Sequence, residues 1–245
     1  MAKRSNAPVK KSILIILTIG LLFLSTMAVL GGCANINTVK IPQEYNSAES
    51  KIAIVPIETG YKHAHLNKMN IEILLNEISG APNLNELKLS VLGHLINWHP
   101  ETLLCEKIAE ELTRRGRTVI QENEIVPLPE NIRGSLAGVK WYNPDISIFD
   151  HSGIKNSHHL TAIMEASFES VIIFANGNLT VILVRVIDPH TNKVIARIRS
   201  VQNLRRGKYD FRDPIQRQQY VLNFRAEFEN ELAKALPKIL DGIGF

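Results

Sequence analysis

The distribution of apolar residues along the chain predicts several short extended segments. Residues 51–57 (KIAIVPI) form an apolar, β-branched run typical of a buried strand, and residues 117–121 and 170–175 are similar. Residues 179–187 (LTVILVRVI) are almost equally apolar on both alternating faces, which indicates a central strand covered on both sides. Residues 193–200 place arginines on one face and apolar residues on the other, so this strand is expected nearer an edge of the sheet.

Two helices are predicted by apolar residues that recur every three or four positions. Residues 100–115 have Pro100 in the first turn and Gly116 as the stop signal. The apolar stripe of this helix consists of Leu104, Ile108 and Leu112. Residues 215–236 form the second helix, which should close over the sheet. Its stripe consists of Val221, Phe224, Phe228, Leu232 and Leu236, and Pro237 is expected to end or bend it.

Three other segments carry weaker patterns. Residues 66–98 are expected to form one or two helices, broken near residues 80–82. Their apolar positions are Met69, Ile73, Leu74, Ile78, Leu89, Leu92 and Ile96. Residues 157–168 (SHHLTAIMEASF) also look helical, with Leu160, Ile163, Met164 and Phe168 on one side. Residues 122–150 are rich in proline and glycine and are expected to form a functional loop or a helical insert.

The order of these elements predicts the fold class. A strand, helices and another strand, followed by a hairpin and a terminal helix, are typical of an α/β layer structure. We therefore expect one α/β domain over residues 51–245, with a mixed sheet of about five strands flanked by helices. The C-terminal helix packs on the sheet, and a signal segment and a tether precede the domain.

The first 32 residues have the layout of an export signal. Lys3, Arg4, Lys10 and Lys11 precede the uncharged residues 12–30, and the chain then runs Leu30-Gly31-Gly32-Cys33. The leucine, the two small residues and the cysteine resemble the lipobox of bacterial lipoproteins. The resemblance implies cleavage before Cys33, a diacylglyceryl group on its sulfur and acylation of the new amino terminus. Two or three acyl chains such as palmitate anchor a protein durably in a membrane.

The location of the exported part is predicted by the same segment. An uncleaved transmembrane helix is the competing interpretation, because 19 uncharged residues would just span a bilayer. Both interpretations deliver the rest of the chain beyond the inner membrane. Ala34 is not the aspartate that retains enterobacterial lipoproteins at the inner membrane, so we expect the outer membrane, facing the periplasm. Residues 33–50 are expected to form a lipidated, flexible tether of about 20–25 Å.

Charge and cysteine content narrow the function classes. The chain of 245 residues has a net charge of +4, but four of its 28 Lys and Arg residues and none of its 24 Asp and Glu residues lie before Cys33. The exported part is therefore formally neutral, which argues against nucleic acid as a partner. Cys105 has no partner once Cys33 is lipidated, so no disulfide framework is expected, and Cys105 is interpreted as a small buried hydrophobe.

No segment of the sequence predicts catalysis, a cofactor or a metal site. His63 and His65 lack further ligands nearby, and His158 and His159 would point in different directions on a helix. Asp150, His151 and Ser152 are adjacent, but catalytic triads are assembled by the fold and not by adjacency. Phosphate-loop, dinucleotide and nucleophile-elbow motifs are missing from the sequence. We therefore expect a protein that is not an enzyme. The alternative is a small-ligand-binding or hydrolytic domain that uses residues 122–159, in a polar pocket lined by Asp150, His151 and His159.

A basic segment is the strongest candidate for binding. Its cations are Arg197, Arg199, Arg205, Arg206, Lys208, Arg212 and Arg217, and Tyr209 and Phe211 lie among them. Beyond the inner membrane, such a segment could bind lipid headgroups, lipopolysaccharide or an acidic protein surface. The competing interpretation is a solvated edge that Asp210 and Asp213 partly neutralise.

Short motifs within residues 51–200 resemble a group of envelope proteins. They are KIAIVPI, a helix ending in ELTRRG, RTVIQ, ESVIIF, and a turn with Asp188, Thr191 and Val194. The pattern is similar to uncharacterised proteobacterial lipoproteins and, more distantly, to the curli-secretion lipoprotein and the amino-terminal domain of the Tol-Pal propeller protein. Asn192 stands where those proteins usually have glycine. The resemblance implies an assembly, docking or accessory subunit, with an envelope protein or a second copy of the chain as partner.

Overall fold

The computed structural model describes residues 38–58, 71–74, 84–95, 98–129, 131–132, 137–174, 177–205 and 207–245. Within them, seven strands form one mixed sheet, and five of the strands lie side by side in the order β3-β1-β5-β6-β7. The strands are β1 (Lys51–Glu58), β2 (Ile71–Leu74), β3 (Thr118–Gln121), β4 (Val126–Pro127), β5 (Ala162–Phe174), β6 (Gly177–Ile187) and β7 (Val194–Arg205). The predicted α/β class and five-strand arrangement are confirmed, and β2 and β4 are short additions.

The sheet combines a parallel half with an antiparallel half. Strand β1 lies parallel to β3 and to the first half of β5, whereas β5, β6 and β7 follow one another as antiparallel neighbours. The short β2 continues the row of β1 along the second half of β5, and β4 pairs with the end of β1. Strand β6 is buried on both faces, as its two apolar faces predict.

Five helices accompany the sheet in the described ranges. They are α1 (Leu84–Leu95), α2 (Pro100–Arg114), α3 (Ala137–Tyr142), α4 (Ser152–His158) and α5 (Pro214–Ile243). One face of the sheet packs against α1, α2 and α5, and the other is covered by residues 126–160. No helix in these ranges is long and apolar enough to cross a bilayer.

Helices α2 and α5 follow the sequence prediction closely. Leu104, Ile108 and Leu112 are fully buried on α2, together with Cys105, which confirms both the stripe and the buried thiol. Gly116 has a positive φ of 80°, as a left-handed helix stop requires.

The stripe of α5 is buried through an aromatic cluster. Phe224 and Phe228 meet the edge of the Trp98 ring at centroid distances of 5.5 and 4.9 Å, and Phe228 also contacts Phe168 of β5 at 5.9 Å. Leu232 and Leu236 continue the stripe and are buried. This cluster joins the terminal helix to the sheet.

Pro237 does not end the terminal helix. Helix α5 continues to Ile243, and Leu240 and Ile243 are fully buried against the sheet. The apolar stripe therefore extends past the proline, and burial of about two more turns offsets the backbone hydrogen bond that proline cannot make. The guanidinium of Arg115 binds the Pro237 carbonyl oxygen at 3.0 Å, so this turn gains a partner from α2.

One helical prediction is wrong, and another is confirmed only in part. Residues 157–168 contain the end of α4 and the first half of β5. In this part of β5, Ile163 packs on the face that residues 126–160 cover, whereas Met164 and Phe168 pack on the face that the helices cover. Within residues 66–98, where one or two helices were expected, the described residues form one helix, α1, and Ile71–Leu74 is strand β2. The predicted positions Met69, Ile78 and Ile96 and the break near residues 80–82 lie outside the described residues.

Helix α1 also faces the core through a different set of residues than expected. Leu87, Val91 and Leu95, spaced by four, are buried, whereas Leu89 is 62% exposed. Four-residue spacing keeps Leu87, Val91 and Leu95 on one side of the helix, and Leu89 then points away from the sheet.

Residues 38–50 differ from the flexible tether that the sequence predicts. Val39 forms an antiparallel bridge with Arg197 at the outer edge of β7, through two backbone hydrogen bonds of 2.9 and 3.0 Å. Ile41 is buried and donates its N–H to the Ile243 carbonyl at 2.8 Å. Asn46 bonds the Gly244 carbonyl and accepts from Arg117 at 2.6 Å. The packed unit therefore begins near residue 37 and not at residue 51.

Candidate functional site

A buried ion pair crosses two central strands on the face that residues 126–160 cover. Glu165 of β5 and Arg185 of β6 are direct cross-strand partners, and neither side chain is exposed. Arg185 donates from Nε and Nη2 to Glu165 Oε2 at 3.0 and 2.6 Å. A cross-strand register places these groups together, although 20 residues separate them in sequence.

Three further side chains complete the shell of this carboxylate. Trp141 Nε1 donates to Glu165 Oε2 at 3.1 Å, and Ser147 Oγ donates to Oε1. His151 Nε2 lies 2.8 Å from Oε1 and donates there, because an ionised carboxylate only accepts. The Arg185 guanidinium also lies 5.0 Å from the centroid of the Trp141 ring, a cation–π distance. We call these five residues the Glu165 network.

The electrostatics of the Glu165 network keep the carboxylate ionised. Burial alone raises the pKa of Glu165, but the hydrogen bond from His151, the charge of Arg185 and the Ser147 hydroxyl outweigh it, so the pKa is lowered. An enclosed carboxylate whose lone pairs already accept five hydrogen bonds has no room for a substrate. In this arrangement it clamps residues 141–151 onto the sheet.

Two arginines hold the end of the short helix α3. Arg185 Nη1 donates to the carbonyl oxygens of Trp141 and Pro144, and Arg197 Nη1 donates to those of Tyr142 and Asn143. Cations at a helix C-terminus satisfy carbonyls that lack intrahelical partners and complement the helix dipole. Arg197, a predicted anion-binding residue, is therefore engaged within the protein, and it also pairs with Asp145.

The other predicted basic residues divide into two groups. Arg199 forms a two-bond ion pair with Glu169 of β5, at 2.6 and 3.2 Å. Arg205, Lys208 and Arg212 are exposed; Arg205 ends β7, and the other two follow it in the chain. Arg206 lies outside the described residues. The interleaved aromatics face inward, since Phe211 is buried against the Tyr220 ring at 5.0 Å.

An exposed apolar surface adjoins these three cations. Ile215 and Leu222 of α5 are 67% and 58% exposed, and Leu89 of α1 is 62% exposed. A groove of about 370 Å³ runs between α1 and the start of α5, lined by Glu86, Leu87, Ser90, Pro214, Arg217, Gln218, Val221 and Leu222. Basic and aliphatic side chains therefore meet at one end of the domain.

The Asp150-His151-Ser152 sequence does not form a catalytic triad. Asp150 accepts from the backbone N–H and the hydroxyl of Ser152 at 2.9 and 3.0 Å, so its carboxylate is bound to the first residue of α4. The His151 ring turns inward to Glu165, and His159 is exposed in a left-handed conformation with φ of 50°. These side chains do not converge on one pocket, and no group of three metal-ligand side chains lies together among the described residues. His63, His65 and Cys33 lie outside those residues.

The geometry of the turn at Asn192 explains why asparagine can replace the glycine that is usual at this position. Asn192 has a φ of 61°, a conformation that glycine and asparagine tolerate best. Its side-chain amide donates to the carbonyl oxygens of Ser147 and Phe149 at 3.0 and 3.4 Å, which glycine could not do. Asparagine therefore ties the hairpin turn to the segment that the Glu165 network holds.

Glu101 is a second buried acid, in the first turn of α2. Glu101 is 3% exposed, and burial raises the pKa of its carboxyl to about 7. The negative charge of Glu58 also raises this pKa, whereas a hydrogen bond from the backbone N–H of Glu101 lowers it. Between the ordinary Glu pKa and this value, the folded state holds a proton that the unfolded state releases, so stability falls as pH rises. The effect is on the order of 3 kcal/mol by pH 8.

We expect the Glu101→Gln substitution to remove this pH dependence, because an amide does not titrate. The measurement is the free energy of unfolding in urea at pH 5, 6, 7 and 8, compared with the wild type. Glu106→Gln, an exposed position on the same helix, is the matched control and should keep the slope. A wild-type slope that persists in Glu101→Gln would contradict the assignment.

Sequence reasoning missed Glu165, Arg185, Ser147 and Trp141. The available signal was a charged residue between two apolar neighbours, at Glu165 and at Arg185. Buried charges are almost always paired, so these two residues were candidates for an ion pair, but the register that joins them comes from the fold.

The architecture is that of an α/β protein with a mixed sheet, three helices on one face and a clamped segment on the other. No protein-family model matches the chain, and no curated protein matches it in sequence. A PelC dodecamer from Paraburkholderia phytofirmans superposes with a TM-score of 0.33 at 8% identity, covering 82% of this chain and 92% of that chain. For the hypothetical protein CT253 from Chlamydia trachomatis the TM-score is 0.36 at 11% identity, with 80% and 98% covered. For the lipoprotein GNA1162 from Neisseria meningitidis it is 0.29 at 12% identity, with 64% and 81% covered. At these scores the superpositions do not assign the chain to a family.

Proposed function

We propose that this protein is a lipid-anchored subunit of the bacterial envelope that works by docking or assembly and not by catalysis. The observation that carries the proposal is the Leu30-Gly31-Gly32-Cys33 sequence behind a positively charged start and an uncharged stretch. Cleavage before Cys33 leaves a mature chain whose net charge is close to zero, with acyl chains as its attachment to the membrane.

The fold is compatible with this cleavage. The packed unit begins near residue 37, a few positions after Cys33, and its first backbone pairing is made by Val39. An α/β domain held close to its anchor suits a subunit that works at a membrane surface.

The non-catalytic part of the proposal is supported by the Glu165 network. Its carboxylate is enclosed by five donors, and His151 is one of them, so the strongest cluster of ionisable groups is used to hold residues 141–151 in place. The ligand-binding alternative needed Asp150, His151 and His159 around one pocket, and these side chains point to different surroundings. Because Ala34 is not aspartate, we propose the outer membrane as the location. The proposed partner is an envelope protein or a second copy of the chain.

The test is mass spectrometry of the full chain expressed in a diderm bacterium. We expect the amino-terminal peptide to begin at Cys33 with a diacylglyceryl thioether and an amide-linked acyl chain. Cys33→Ala should leave the precursor unprocessed, as should a globomycin-type inhibitor of lipoprotein processing. Cys105→Ala, which alters the only buried thiol of the described core, is the control and should be processed normally. An intact Met1 start or an unmodified sulfur at Cys33 would overturn the proposal.

A further inference from the structure

The chain between the proposed anchor and the folded domain is very short. Thr38 is the first described residue, and Val39 is already bonded to the edge of β7. Five peptide units join Cys33 to Thr38, and whatever path they take they span at most about 18 Å. A membrane that holds acyl chains on Cys33 must therefore pass within that distance of Thr38.

The direction of the bridge indicates which part of the domain lies toward the membrane. Val39 pairs with Arg197 in antiparallel orientation, so Thr38 lies beside Ile198 and the chain enters from the side where β7 runs on to Arg205. Seven residues of strand from Ile198 to Arg205 cover about 23 Å. The distance from Thr38 to the end of β7 is therefore similar to the greatest distance from Thr38 to Cys33. The two distances differ by less than the thickness of a headgroup layer.

The surface at this end has the chemistry of a membrane-contacting face. Arg205, Lys208 and Arg212 are exposed there, and Ile215 and Leu222 at the start of α5 are 67% and 58% exposed. Basic side chains are attracted to anionic headgroups, and exposed aliphatic side chains enter the interface between headgroups and acyl chains. We call these five residues the basic end.

We propose that the basic end rests on the anionic headgroups of the membrane that holds Cys33. This inference rests on the proposed lipid anchor and adds an orientation to it. The domain then stands with its clamped turn, at residues 188–193, directed away from the lipid. The lysine and the two arginines of the basic end act as a second, electrostatic attachment beside the acyl chains.

The experiment uses the mature lipidated protein in vesicles of phosphatidylethanolamine and phosphatidylglycerol. A photo-crosslinking amino acid replaces either Leu222, in the basic end, or Ile146, which pairs with Lys193 at the start of β7. Both side chains are 58% exposed, so they are matched probes. We expect about tenfold more phospholipid adduct at Leu222 than at Ile146, and a decrease when the vesicles contain only neutral lipid.

Charge reversal provides the second arm. Arg205→Glu, Lys208→Glu and Arg212→Glu together should reduce the Leu222 adduct to the Ile146 level. Lys140→Glu, Lys193→Glu and Lys238→Glu, at exposed positions elsewhere, make the same change in net charge and should leave it unaltered.

The outcomes separate this inference from the proposed function. Mass spectrometry of the same preparation reports whether Cys33 is acylated, and an unmodified Cys33 would refute both proposals. Equal lipid adducts at Leu222 and Ile146 on acylated protein would refute the orientation alone. Adducts at Leu222 with protein and not with lipid would also refute it, in favour of an acidic partner or a second copy.

Discussion

Replacing Arg185 with methionine is expected to lower the free energy of unfolding by about 3–5 kcal/mol at pH 7. The substitution removes two hydrogen bonds to Glu165 and leaves its carboxylate fully buried without its cationic partner. It also removes the guanidinium that binds the Trp141 and Pro144 carbonyls at the end of α3. Urea denaturation followed by circular dichroism measures the change.

The pH dependence identifies the cause. The lowered pKa of Glu165 in the wild type means that its contribution is present at neutral pH and is lost as pH falls below about 4. Without Arg185 this pKa rises, so the difference between wild type and variant should shrink in acid. The double substitution Arg185→Met/Glu165→Gln should be less destabilised at pH 7 than Arg185→Met, because no buried charge remains.

Arg205→Met supplies the matched control for the Arg185 prediction. This arginine is exposed at the end of β7, so its loss should change stability by no more than about 0.5 kcal/mol. If Arg185→Met were as stable as Arg205→Met, the Glu165 network would not be the clamp that we describe.

The Phe228→Ala substitution is expected to cost about 3–5 kcal/mol, through lost burial and the cavity left behind. Phe228 is fully buried and contacts Trp98, Phe168 and Phe224, so its ring joins α5 to the sheet and to the residue that precedes α2. The readout is the midpoint of urea unfolding, converted with a slope measured for each variant.

Leu222→Ala on the same helix is the comparison for Phe228→Ala. Leu222 is 58% exposed, so its truncation should leave the midpoint nearly unchanged. Equal losses for the two variants would show that α5 does not bury the face that the structure assigns to it.

Much of the fold could be predicted because some elements have one dominant periodicity. The stripe of α5 recurs every three or four residues, and β6 is apolar on both faces, so both were identified correctly. The first half of β5 was misassigned because Leu160, Ile163, Met164 and Phe168 also recur at three and four, whereas its second half was correctly predicted as a strand. A strand buried on both faces carries apolar residues at odd and even positions, and this pattern overlaps with a helical one.

The Glu165 network could not be predicted for a different reason. Glu165 and Arg185 meet only because β5 and β6 pair in one register, and a shift by one residue would separate them. Residues 38–50 were misjudged because their polar composition resembles a tether. Their attachment depends on backbone hydrogen bonds at Val39 and Ile41, which composition does not reveal.

The bridge between Val39 and Arg197 has a consequence for how the protein is handled in the laboratory. An uncovered outer strand presents unpaired N–H and C=O groups that can recruit a strand from another molecule. The segment around Val39 covers β7 at this position, so a shortened version starting at residue 51 would lose this cover. Soluble forms should therefore begin immediately after Cys33 if intermolecular strand pairing and aggregation are to be avoided.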